Sequence, residues 1–243
     1  MKQAPHYNRT MDTPPSGALP PVPIVVDGRT YLRLPVRTHV LTEKDDIADV
    51  LWKYVRQSFK PGDVVFISET AVAICQGRAR DWHDIKPSWL ARQLSRRVTK
   101  SPYGVGLRSP YAMQYAIELT GLPRILLGCV AHVAGRLVHK KRWFYDVAGV
   151  QARMMDAEHT MGVKEFYECV IPGPYDPQGT VRKLKETTGM DVAIVDVNDI
   201  YPPWCIASTL PKAGARLLER CLTDNPLGQG SECTPLGIWR ESG

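Results

Sequence analysis

Two short runs constrain this chain most. Val64-Val65-Phe66-Ile67-Ser68 and Val192-Ala193-Ile194-Val195 are apolar at nearly every position. A strand with one wet face alternates; a continuous apolar run of strand length needs cover on both faces. The sequence supplies that cover. Ahead of the first run, Ile47, Val50, Leu51, Tyr54 and Val55 recur at helical spacing, which buries one stripe of a helix. Thr42-Glu43-Lys44-Asp45 resembles a capping box at its start. Ahead of the second run, Asp176-Pro177 opens a helix that stops at Gly189. The fold class expected is α+β, with mixed sheets and packed helices.

The remaining elements follow from local signals. Tyr31 to Val36 alternates and predicts a strand, with Pro35 demoting it toward an edge. Helices are expected from Ser88 to Arg97, from Ser109-Pro110 to Gly121, and from Pro211 to Leu222. Ile125 to Val138 fits helix or strand, and Arg142 to Val150 and Val163 to Ile171 read as strands. Residues 1–22 hold five prolines without hydrophobic periodicity, so they read as a disordered Pro-rich tail. Residues 23–243 then form a single domain, and 243 residues suffice to bury a core without disulfides. Six cysteines occur with no C-x-x-C pair, consistent with free thiols. There is no run of ~18 apolar residues and no secretory h-region, so a cytoplasmic protein without a membrane span is expected.

Charge is uneven. Between Arg78 and Arg108 stand Arg78, Arg80, Lys86, Arg92, Arg96, Arg97, Lys100 and Arg108 against only Asp81 and Asp84, which accounts for the whole net charge of +6. Such a field suits a polyanion, or is a solvated basic helix face. Nucleic acid is the least supported partner, because no RNA-binding motif accompanies the basic residues. Tyr103-Gly104-Val105-Gly106 lies beside this window, where backbone N–H groups can approach an anion. No G-x-x-x-x-G-K-[ST] or G-x-S-x-G pattern occurs.

Oxygen-bearing side chains gather at Asp196-Val197-Asn198-Asp199, which closes the second apolar run. Alternation puts Asp196 and Asn198 on one face, and such donors suit Mg²⁺ or Mn²⁺; the same residues also make an Asx turn. Asp156-Ala157-Glu158-His159 offers another carboxylate.

Several segments in order resemble the coenzyme F-420-0:gamma-glutamyl ligase family. They are Lys60 to Ser68 running on to Gln76-Gly77-Arg78, Met155-Asp156-Ala157, Ile171 to Thr180, Val192 to Asp199, and Asn225 to Gly228 with Leu236 to Arg240. The resemblance implies an intertwined homodimer and GTP-dependent amide ligation through an acyl phosphate, with L-glutamate as amine. By motif, Asp156, Asn198 and Asp199 would be ligands of Mg or Mn; Arg78 of the first matching segment, with Gly104 and Gly106 of the glycine-bearing loop, would bind the nucleotide co-substrate; no catalytic residue is assigned. The partners implied are a small anionic substrate and a nucleotide. Thr70 and Ile74 stand where the family usually carries lysines. That departure keeps a second reading open: a non-catalytic anionic-ligand-binding or regulatory protein on the same fold.

Overall fold

A computed structural model describes residues 17–98, 106–137, 143–198, 202–228 and 230–242. In chain order its elements are β1 (Gly17–Ala18), β2 (Val22–Val26), β3 (Arg29–Arg37), α1 (Ile47–Tyr54), β4 (Val64–Ser68), α2 (Glu69–Cys75) and β5 (Arg80–Asp81). A helical layer follows: α3 (Trp89–Arg97), α4 (Pro110–Thr120), α5 (Leu122–Leu137), α6 (Trp143–Ala148) and α7 (Val150–Arg153). The chain closes with β6 (Cys169–Val170), α8 (Pro177–Thr188), β7 (Asp191–Asp196), β8 (Trp204–Ser208), α9 (Lys212–Cys221) and β9 (Leu236–Glu241).

Among the described residues, seven strands form one mixed sheet in the order β1-β3-β9-β4-β7-β8, with β2 also on β3. Only β4 and β7 pair in parallel, and both are covered on two faces, as their apolar runs demand. Side chains alternate across a strand, so each run feeds two cores. Val65, Ile67, Val192 and Ile194 pack with α1, α2 and α8. Val64, Phe66, Ala193 and Val195 face Leu218, Leu222 and Leu227. The expected stripe of α1 is buried at all five positions. Its cap differs from expectation. Thr42 and Asp45 close a separate turn, in which the Thr42 N–H donates to Asp45 Oδ2 at 2.8 Å. Asp46 caps the helix by accepting from the Ala48 N–H at 2.7 Å.

Three strand expectations are corrected. Pro35 is not on an edge: β3 pairs with β1 and β2 on one side and β9 on the other. The Pro35 carbonyl accepts from the Leu19 N–H at 2.8 Å, so its N and O face the two-residue β1 and the missing donor leaves the β9 ladder intact. Residues 143–148 are helical, because Phe144 and Ala148, four apart, are the buried pair and press against Gly128 of α5. Of Val163 to Ile171, only Cys169–Val170 is strand, and Lys164–Phe166 is a 3₁₀ turn. The helix–strand ambiguity at Ile125 resolves as α5. β1 begins ahead of Pro23, and residues 1–16 lie outside the described residues. All six cysteines are free thiols. No single described helix is long and apolar enough to cross a membrane.

One glycine carries a packing requirement. Gly237 of β9 lies opposite Phe66 of β4, and a Cβ there would overlap the Phe66 ring. Gly237→Ala is expected to cost about 1–3 kcal/mol in urea denaturation, as overpacked cores do. Phe66→Leu in the Gly237→Ala background should recover part of that loss. An unchanged midpoint in the single variant would show that the two strands can separate without cost.

Candidate functional site

Parallel pairing of β4 and β7 sets Ser68 against Val195, so both strands end at the same edge of the sheet. Carboxyl ends of parallel strands are where ligands enter such sheets. The residue after β4 is Glu69, which opens α2 with Thr70 behind it; the last residue of β7 is Asp196. A third carboxylate arrives from the helical layer. Asp156 follows α7 and is held by one antiparallel bridge to Ile171, with N–H···O distances of 2.8 and 3.1 Å. Thr70 ties the group together: its Oγ1 lies 3.1 Å from Asp156 Oδ2 and 3.1 Å from Glu69 Oε1. The Asn198 side-chain amide donates to Asp196 Oδ1 at 3.0 Å. The Arg153 guanidinium lies 3.9 Å over the Trp204 ring and draws the Asp196 carboxyl downward.

The three acids disfavour one another's charge. Burial pushes the Glu69 carboxyl well above its usual range, and the charges of Asp196 and Asp156 push it further. Burial also raises Asp156 to about 6, against the Thr70 hydrogen bond and with help from Asp196. Asp196 is raised by burial, opposed by Asn198 and Arg153. The stability consequence has a definite sign. An acid whose folded pKa exceeds its unfolded value stabilises the fold below the unfolded pKa and loses that stability as pH rises through the folded one. For Asp156 the window runs from 3.8 to about 6. Cation-free protein should therefore lose on the order of 2 kcal/mol across it, at about 1.36 kcal/mol per unit. A melting-temperature series in chelator from pH 4 to pH 7 checks this, and a flat profile would contradict the convergence of the acids.

The acids open onto a cavity of about 430 Å³. Thr70, Arg153, Asn198, Gly106, Gly228 and Glu232 also line it. Of the residues expected at a site, Asp156 and Asn198 share this cavity and Gly106 forms part of its wall. Asp199 and Gly104 lie outside the described residues. Arg78 is not in the lining: it donates to Gln151 Oε1 at 2.8 Å, and its carbonyl accepts from the Tyr115 hydroxyl at 3.0 Å. Arg92, Arg96 and Arg97 project from α3 into solvent, so no described basic side chain of the 78–108 window reaches the cavity. The sequence offered no role for Glu69, whereas strand alternation already grouped Asp196 with Asn198 as oxygen donors. Both stand at the ends of the apolar runs, which was the available signal.

Hard oxygen donors and mutually repelling, half-buried carboxylates fit a divalent cation. Among the described residues, no three His, Cys, Asp or Glu side chains stand close enough to hold one ion unaided.

Fold and cavity together define an α+β protein with an acid-lined pocket at the carboxyl ends of two parallel strands. The sequence model of the F420-0:gamma-glutamyl ligase family matches residues 35–210, well over half of the chain. The chain belongs to that family. Among individually curated proteins, none matches it significantly.

Proposed function

We propose that this protein is a ligase that joins a carboxylic acid to the amine of glutamate at the expense of GTP. The observation that carries the reading is the convergence of Glu69, Asp156 and Asp196 in one cavity at the ends of β4 and β7. Family membership supports the choice of gamma-glutamyl chemistry. In the first step an oxygen of the acceptor carboxylate attacks the γ-phosphorus, the bond to the bridging oxygen breaks, and GDP leaves. In the second, the amine attacks the acyl phosphate carbon, loses a proton, and inorganic phosphate departs.

Asp156 and Asp196 would hold the cation, Mg²⁺ or Mn²⁺, with Asn198 orienting Asp196 and Asp199 as a further candidate. The cation supplies charge neutralisation for the phosphate oxygens. Thr70 fixes the Asp156 carboxylate toward the cavity and keeps Glu69 within its hydrogen-bond reach. A lysine at position 70 would neutralise these acids internally; the threonine found here leaves that task to the cation. Gly228 and Gly106 line the same cavity, where the lack of a side chain leaves room for a phosphate to approach the backbone. A homodimer, a cytoplasmic location, and residues 23–243 acting as one domain belong to the same proposal.

The test is to mix the chain with Mn²⁺, GTP, glutamate and F420-0. One phosphate and one GDP are expected per amide formed. GTP with Mn²⁺ that neither shifts the melting temperature nor releases phosphate would leave the non-catalytic alternative standing.

A further inference from the structure

Four carboxylates line the cavity: Glu69, Asp156, Asp196 and Glu232. Among the described lining residues, Arg153 is the only lysine or arginine. His39 lines it too, with its ring nitrogens 2.8 Å from the Tyr54 hydroxyl and 2.7 Å from Asp45 Oδ1. Arg153 closes α7, three residues ahead of Asp156, and is exposed between the buried Ala152 and Met154. Those neighbours fix its backbone, and Trp204 fixes its head. Trp204 is the register partner of Asp196 on β8, and cross-strand partners project from the same face of a sheet. The indole is therefore a shelf that holds the guanidinium beside Asp196. Stacking engages the flat face of a guanidinium, whereas its N–H donors lie along the edge.

Strand order gives the cavity a direction. The Ser68 N–H donates to the Pro235 carbonyl at 2.9 Å, and Leu236 pairs with Ile67, so the loop that brings Gly230, Thr234 and Pro235 into the lining reaches the same edge through β9. Across that edge the strands run β9, β4, β7, β8. The β9 loop stands at one end, Glu69 and Asp196 in the middle, and Arg153 on Trp204 at the other end, three strand spacings or about 14 Å away. An acid-lined cavity repels an anion, so a carboxylate entering it needs a cationic side chain to meet it. A guanidinium fork matches a carboxylate through two parallel N–H···O bonds. We propose that Arg153 is the carboxylate-binding residue of this cavity and that it receives a carboxylate of the amino-acid substrate, L-glutamate. The proposal rests on the ligase reading and deepens it. The acceptor's carboxyl group becomes an amide and loses its charge. Glutamate keeps both carboxylates through the reaction, so its pairing with Arg153 persists from binding to release and selects amines that carry an acid.

The test varies L-glutamate at saturating Mn²⁺, GTP and F420-0, with hydroxylamine in parallel as an amine that has no carboxylate. Arg153→Lys keeps a charge beside Asp196 and loses the fork. It should raise KM for glutamate about 10- to 100-fold, the scale of a lost hydrogen bond to a charged group, while KM for GTP and the rate of hydroxamate formation stay within about 2-fold. Trp204→Leu keeps the arginine and removes its shelf, and should raise KM for glutamate about 2- to 5-fold. A counter-charge that only offsets Asp196 would be rescued by lysine, so Arg153→Lys with an unchanged KM for glutamate would overturn the proposal. So would an equal loss with hydroxylamine, or a rise in KM for GTP instead, which would assign Arg153 to phosphate. If neither amide nor hydroxamate forms, the melting temperature with Mn²⁺ and GTP decides. A glutamate-induced rise in wild type that Arg153→Lys lacks would overturn the ligase reading and leave the arginine site in place. No such rise in wild type would overturn both.

Discussion

Asp156→Asn is expected to separate stability from function in opposite directions. The carboxylate sits half-buried beside Thr70 and within the field of Asp196, and Glu69 feels its charge in turn. Replacing it by an amide of equal size removes one of three repelling charges. In chelator the variant should therefore melt about 2–4 °C higher, roughly 1 kcal/mol for a chain of this size. In Mn²⁺ the order should reverse. Wild type should gain stability with cation concentration, and Asp156→Asn should gain little, because a neutral amide is a poor substitute for a carboxylate donor. Phosphate release should fall by at least about 100-fold, since even supporting residues around a metal carry effects of 10–100-fold. Asp196→Asn should behave alike. Thr70→Val keeps all three charges and loses only the tie, so it should keep most of the cation-induced shift. A cation-free Asp156→Asn that melts lower than wild type and still responds fully to Mn²⁺ would remove the acids from the functional reading.

How far the sequence reveals this site follows from what each residue depends on. The strands β4 and β7 were legible because an uninterrupted apolar run has few ways to be buried, and α1 and α8 because their stripes and caps are local. Asp156 and the Asp196 run were legible as oxygen donors. That Asp196, rather than Asn198, is the group facing Asp156 depends on where β7 stops, and a boundary shift of two residues exchanges the candidates. Glu69 was hidden for a different reason. It looks like a first-turn acid of a helix, a common surface feature, and only parallel pairing of β4 with β7 places it opposite Asp196. Helix α6 is not legible as a helix because Phe144 and Ala148 pack on Gly128, a contact between helices that six residues of pattern cannot announce. The basic window stood out in composition, but none of its described basic side chains lines the cavity, and α3 turns its arginines to solvent.

Arg33 carries the second large effect, and strand alternation alone would have placed it in water. It is 1% exposed, the largest side chain buried to that extent. Its guanidinium donates to the carbonyls of Val22 at 3.1 Å, Pro23 at 3.2 Å and Cys221 at 3.0 Å, and to the Asp224 carboxylate. One side chain on β3 thus satisfies the start of β2 and the end of α9. A planar five-donor fork does this where an ammonium has only three donors at one point. Arg33→Met fills similar space but leaves three carbonyls and a carboxylate without that donor. A loss of about 3–5 kcal/mol in urea denaturation is expected, the scale for breaking a buried charged network. Asp224→Ala separates the causes. Asp224 is 55% exposed, so water replaces much of what it loses, and its removal should cost under about 1 kcal/mol. Equal losses in the two variants would mean that the ion pair dominates. A small loss in Arg33→Met would mean that the β2 carbonyls find water. The expected ordering, large for Arg33 and small for Asp224, identifies the carbonyls as the reason a charged residue is kept inside the fold.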